Sequence, residues 1–313
     1  MNRLVPGMLA LGLALTACGG TAEPDTATAA TTAGDATFPR TVQHAMGETE
    51  IAERPERVVV LDTGELDSAL SLGVTPVGAV TTAVSDGFLS YLAEGAADVE
   101  VVGTIAEPDL EAIAALEPDL ILSNKVRHED LYDELSQVAP TVFAERVGAV
   151  WKDNLTLAAE ALGLEDEAAD ALEQYEADAA ALGESIGDAA GTTVSAVRFV
   201  DGAIRVYTPA SFIGTVLADI GLAQLELPTA EVPTFAVLGA EEITRADADI
   251  VLYSSYGPVQ DSGETAVLAG PLWSRLGAVQ EDRALAVEDD VFFTGIGLTA
   301  ANLMIEDLAD QLG

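Results

Sequence analysis

"RVVVLDTGELDSALSLGVTPVGAV", residues 57–80, decides the fold. Val58 to Leu61 is a β-branched, apolar run suited to a strand buried on both faces. Asp62 to Glu65 reads as a turn around Gly64. Glu65 to Leu72 reads as a short helix ended by Gly73, and Val74 to Val80 as a second strand. A strand, a helix and a strand in so few residues describe one crossover unit of a parallel sheet.

The pattern recurs downstream. In "PDLEAIAALEPDLILSN", residues 108–124, a helix over 109–116 meets Pro118 and a strand follows over 119–123. "LYDELSQVAPTVFA" adds a helix over 131–138 and a strand over 141–144. Gly163 then splits a helical stretch, leaving Glu165–Ile186, 22 residues rich in Ala, Leu and Glu. At about 1.5 Å per residue this predicts a helix of roughly 33 Å, placed to bridge two halves. The second half echoes the first: "DLEAIAALEPDLILSN" aligns without gaps on the stretch from Gly239, matching Glu111 to Glu241, Ile113 to Ile243, Asp119 to Asp249 and Leu122 to Leu252. The expected fold class is α/β, with two lobes, each a mainly parallel sheet flanked by helices, joined by one long bridging helix.

The chain carries 53 Asp and Glu against 13 Lys and Arg, a formal charge of −40, with 49% hydrophobic residues. That hydrophobic content suits packed domains. The acidity argues against nucleic acid as a partner, because phosphate binding needs a basic face, and against adsorption to anionic lipid. At the start, "MNRLVPGMLALGLALTACGG" has Arg3, an apolar stretch from Leu4 to Ala17, and Cys18. The stretch is too short for a spanning helix and reads as a secretory signal. Leu15-Thr16-Ala17-Cys18 resembles a bacterial lipobox, which implies cleavage before Cys18 and lipidation of its sulfur. Cys18 is the only cysteine. The Thr- and Ala-rich segment after it reads as a flexible tether. The expected organisation is a signal peptide over 1–17, the lipidated cysteine and tether over 18–40, an N-terminal lobe over 41–160, the bridging helix over 161–188 and a C-terminal lobe over 189–313. Such a chain sits at the cell surface or otherwise outside the cytoplasm, touching the membrane only through its lipid anchor.

Against that acidity, "SNKVRHEDL", residues 123–131, gathers Lys125, Arg127 and His128 just past a strand. Ligands of open α/β sheets bind beyond the carboxyl ends of strands. The candidates for contact are therefore Lys125 and Arg127, Arg198 in "VSAVRFV", Arg205 and Tyr207 in "IRVYT", Trp151 after the third strand and Tyr256 in "LYSSYG". Arg205 and Tyr207 share a face if their segment is extended. Arginine holds carboxylate and similar oxygen acceptors with a planar fork, while Tyr and Trp give broad apolar faces with a polar edge.

"RTVQHAMGETEIAERPERVVVLDTGELDSALSLGVTPVG", "SNKVRHEDLYDELSQVAPTVF" and "VRFVDGAIRVYTPASFIGTVLADIGL" together resemble the iron-siderophore solute-binding proteins of ABC importers, from about Phe38 to the C-terminus. The nearest subgroup handles ferric hydroxamate, ferric citrate or mixed complexes. The resemblance implies a ferric siderophore as ligand in a cleft between lobes, no cofactor and no protein-held metal, a monomer, and delivery to an ABC permease and its ATPase. It also implies one docking acid per lobe, for which Glu111 and Glu241 are the candidates, with Glu242 a rival, and it adds Trp273, in "GPLWSRL", as a ligand contact on the cleft side. Heme or a cobalamin-like chelate is the alternative cargo. A lipoprotein hydrolase has no motif in its support. Bare zinc or manganese capture is poorly served by two histidines, and a tethered signalling role stands as a further alternative.

Overall fold

The computed structural model describes residues 37–85, 87–229 and 234–312. The signal peptide, Cys18 and nearly all of the expected tether lie outside the described residues. Residues from Ala36 onward form one compact unit. It opens with a hairpin of β1 (Arg40–His44) and β2 (Gly47–Ile51).

The first sheet contains β3 (Val58–Val60), β4 (Gly78–Thr81), β5 (Glu100–Thr104), β6 (Leu120–Asn124) and β7 (Thr141–Ala144), in the order β5-β4-β3-β6-β7. Every pairing in it is parallel. All three valines of β3 are buried, as expected for the centre of such a sheet. Helices α1 (Thr63–Ser71), α2 (Leu110–Ala115), α3 (Lys125–His128), α4 (Tyr132–Val138) and α5 (Trp151–Leu162) belong to this half. Asp62 leaves no room for a separate turn: its carboxylate accepts from the amide of Thr63 at 2.7 Å and starts α1 directly. The expected strand from Val74 is delayed to Gly78, beyond Pro76, which cannot donate to a ladder. Asn124 ends β6 and caps α3, accepting from the amide of Arg127 at 3.2 Å.

Helix α6 (Glu165–Ile186) has the extent the sequence predicts. It begins with Glu165, Asp166 and Glu167, which suit the positive end of the helix dipole. Ala168, Tyr175, Ala179 and Leu182 form its buried stripe. Gly163, at φ +71°, closes α5 in the left-handed conformation and lets the chain turn into α6.

The second sheet is mixed. It comprises β8 (Thr193–Val200), β9 (Ala203–Tyr207), β10 (Ala223–Gln224), β11 (Phe235–Leu238), β12 (Ile250–Ser255) and β13 (Ala284–Ala286), with α7 (Phe212–Ile220) following β9. β10 and β12 pair parallel with β8, and β13 pairs parallel with β12; β9 pairs antiparallel with β8, and β11 antiparallel with β9. The turn between β8 and β9 is Asp201-Gly202, at φ +51° and +80°. Positive φ at both central residues is the two-residue hairpin geometry that matches strand twist. The final helix, Leu298–Leu312, packs on α1 and α5 as well as on α6 and α7, so the end of the chain touches both halves. No helix among the described residues is long and apolar enough to cross a membrane.

Candidate functional site: a cleft lined by three arginines

A cleft of about 770 Å³ lies between the two sheets. The first half lines it with the segments just past its strands: Asp62 and Thr63 after β3, Thr82 and Ala83 after β4, Ile105 and Ala106 after β5, Val126 and Arg127 after β6, Val147 and Gly148 after β7. The second half contributes Arg198 from β8, Arg205 and Tyr207 from β9, the start of α7, Phe235 from β11, Tyr256 after β12, and Phe292 to Thr294. The first face obeys the rule that α/β ligand sites form beyond strand ends, whereas Arg198, Arg205, Tyr207 and Phe235 of the second lie within strands.

The hairpin explains the arginines of the second half. Its register sets Arg198 directly opposite Arg205, and Tyr207 lies two residues along on the same face. Like charges in that relation repel. The pair is tolerated because each guanidinium has its own support. Arg198 Nε donates to Asp289 Oδ1 at 2.7 Å, and its Nη2 donates to the other oxygen of Asp289 and to Thr294 Oγ1. Asp289 is itself held by Ser254 and Thr294, both at 2.8 Å. Burial works against the Arg198 charge, but the bonds it donates to Asp289 outweigh this and raise its pKa. Arg198 also lies 4.4 Å over the Tyr256 ring. Arg205 stacks 4.5 Å over Phe235 and has no carboxylate partner among the described residues. Arg127, on the opposite wall, donates from Nε to Asp62 Oδ2 at 3.1 Å, and its side chain is 43% exposed. Three guanidinium groups against the carboxylates of Asp62 and Asp289 leave one net positive charge, in a chain of formal charge −40.

Of the sequence candidates, Arg127, Arg198, Arg205, Tyr207 and Tyr256 line this cleft. The other three are placed elsewhere, each for a definite reason. Trp151 is 2% exposed; its Nε1 donates to Thr215 Oγ1 at 3.1 Å, and its ring meets Tyr175 and Phe212 edge-on. It packs between helices of the two halves. Trp273 is buried against Phe199 and Tyr253 in the core of the second half. Lys125 turns away into a neighbouring surface depression, where it faces Glu145 at 3.6 Å. His128 is buried, bridging Ser123 Oγ and the carbonyl of Ile105, both at 2.7 Å. Sequence reasoning missed Asp62, Asp289, Phe235 and Phe293. The Asp201-Gly202 pair between two strand-like runs was the available signal for the hairpin, and so for the proximity of Arg198 and Arg205.

Two α/β halves, one long connecting helix and an arginine-lined cleft between them define a bilobal binding protein. The chain belongs to the periplasmic binding protein family, whose profile matches residues 58–290. It is 38% identical over 280 residues to the probable siderophore-binding lipoprotein YfiY of Bacillus subtilis, covering 86% of each chain. It is 30% identical to the achromobactin-binding periplasmic protein of Dickeya dadantii, covering 83% of this chain and 87% of that protein. The crystal structure of Staphylococcus aureus SirA complexed with staphyloferrin B superposes with a TM-score of 0.77 at 31% identity, over 87% of this chain and 98% of SirA.

Proposed function

We propose that this chain is the extracytoplasmic binding component of an ABC importer, lipid-anchored through Cys18, which captures a ferric siderophore in the interlobe cleft and passes it to a membrane permease and its ATPase. The observation that carries this reading is the convergence of Arg127, Arg198 and Arg205 from separate elements on one cleft. The siderophore names of the relatives support it. A ferric siderophore brings its metal already coordinated, so the protein must recognise the organic shell. The site suits an anionic shell rich in carboxylate or similar oxygens, held by planar guanidinium donors and flanked by Tyr207, Phe235 and Tyr256. Charged hydrogen bonds contribute about 1.5–3 kcal/mol each. Two or three with aromatic burial reach micromolar affinity, near about −8 kcal/mol.

The protein acts as a monomer and a binder rather than an enzyme. Glu111, exposed in the first turn of α2, and Glu241, exposed after Gly239, are the docking acids for the permease. Glu242 is the poorer candidate because its carboxylate already pairs with Arg245 at 2.7 Å.

Fluorescence titration of the lipid-free chain against ferric staphyloferrin B, ferric citrate, heme and cobalamin tests the reading. At least one ferric chelate is expected to bind, and Arg127→Ala or Arg205→Ala to weaken it roughly tenfold, about 1.4 kcal/mol. Binding of heme or cobalamin alone overturns the cargo. Unchanged affinity in both arginine variants overturns the site.

A further inference from the structure

Behind Arg127, from the cleft wall at Asp62 inward to Glu65, two acids share one amide. Asn124 Nδ2 donates to Asp62 Oδ2 at 3.1 Å and to Glu65 Oε1 at 3.2 Å. The same Asp62 oxygen accepts from Arg127 Nε at 3.1 Å. Glu65 is 7% exposed. Its Oε2 is buried without a partner among the described residues, beside a void of about 20 Å³, room for one water molecule. Two carboxylates here face a single cation. The charged or titratable side chains near Glu65 are Asp62 on its own element, Arg127 on α3, and the neutral ring of His128, which reaches β6 through Ser123. β7 and α5 bring Val142, Ala144, Asn154, Leu157 and Ala158, none of them charged.

We propose that Glu65 is a positioning residue for ligand binding, which acts through Asn124 and Asp62 on Arg127. This rests on the ferric-siderophore reading of the cleft. With Glu65 neutral, Asp62 is the only carboxylate paired with Arg127 among the described residues. It holds the guanidinium by Nε and leaves the two terminal nitrogens to the ligand. Burial first, and the Asp62 charge second, raise the Glu65 pKa from 4.5 to about 8. Above that pH a second negative charge stands behind Arg127. It draws the guanidinium back and repels an anionic chelate. Affinity is therefore highest below about pH 8 and falls as pH rises through it.

Two measurements test this, one independent of any ligand. The first compares wild type with Glu65→Gln in titrations with ferric staphyloferrin B and ferric citrate at about pH 6 and about pH 9.5, spanning the transition. The ratio of the two proteins' affinities cancels changes in the chelate itself. Wild type is expected to lose roughly fivefold or more relative to Glu65→Gln between those limits; a constant ratio overturns the proposal. The second is infrared spectroscopy of the ligand-free protein. A protonated-carboxyl band is expected in wild type at neutral pH, with the Glu65 component missing from Glu65→Gln. Asp67→Asn serves to assign the other buried acid, and, should Glu65→Gln not fold, the band left in Asp67→Asn must titrate away near pH 8. Absence of the Glu65 component at neutral pH overturns the proposal whatever the ligand proves to be. A protein that binds neither chelate at any pH sinks the siderophore reading instead, and the band alone then decides the protonation of Glu65.

Discussion

Arg198 shows how a cation can be kept in a cleft wall. Its side chain is 8% exposed and its partner Asp289 17% exposed, so the pair sits where desolvation is costly. Ser254 and Thr294 complete the carboxylate's hydrogen bonds, which makes the arrangement tolerable. Removing one partner strands the other. Asp289→Ala is expected to lower unfolding free energy by about 3–5 kcal/mol, because Arg198 then stays buried with its charge uncompensated. Urea denaturation measures this, and a loss below about 1 kcal/mol would show that water replaces the carboxylate freely. The sequence makes Arg198 visible as a candidate because cations are scarce. It gives no sign of Asp289, one acid among 53 and 91 positions away. The tryptophans fail for the opposite reason. Their size suits a ligand face and a core equally, and only packing against Tyr175 and Phe212, or Phe199 and Tyr253, separates the two.

At the scale of elements, legibility followed periodicity. Helix α6 could be bounded from its composition and Gly163, and β3, β6 and β7 from their apolar runs, whereas β5 is not among the strands expected from the sequence. The mixed order of the second sheet was not so legible, since pairing direction is set by connections, and the Asp201-Gly202 turn reverses a chain that otherwise reads as two more strands. Gly183 is another element-scale feature hidden in sequence. It lies within α6, where alanine is the better helix former by about 0.8–1 kcal/mol. Yet a Cβ there would stand 2.1 Å from the carbonyl oxygen of Ile220, at the end of α7. Backbone atoms cannot yield as a side-chain tip does. Gly183→Ala is therefore expected to destabilise by about 1–3 kcal/mol through separation of α6 from α7. Chemical denaturation decides, and a more stable variant would show that the two helices are not in this close contact.

For the whole molecule the question is how far the halves can move about the cleft. Helix α6 is one tie. The others cross between the halves at separate points. Trp151 of α5 bonds Thr215 of α7, and Lys152 of α5 pairs with Asp219 of α7 at 3.0 Å and with Glu176 of α6 at 3.0 Å. On another side, Asp67 of α1 accepts from the amides of Thr299 and Ala300 at 2.9 and 3.1 Å, capping the last helix from across the chain. A hinge is free when a few loop residues absorb the rotation. Here a rotation must also shear a buried tryptophan contact and break a helix cap. Lobe movement on binding is thus expected to be modest. Small-angle scattering with and without the chelate should show the radius of gyration, roughly 19 Å for a compact unit of this length, changing by less than about 1 Å. A larger compaction would mean that the α5–α7 contacts open in solution, and Trp151→Phe, which deletes the bond to Thr215, should then leave that compaction unchanged.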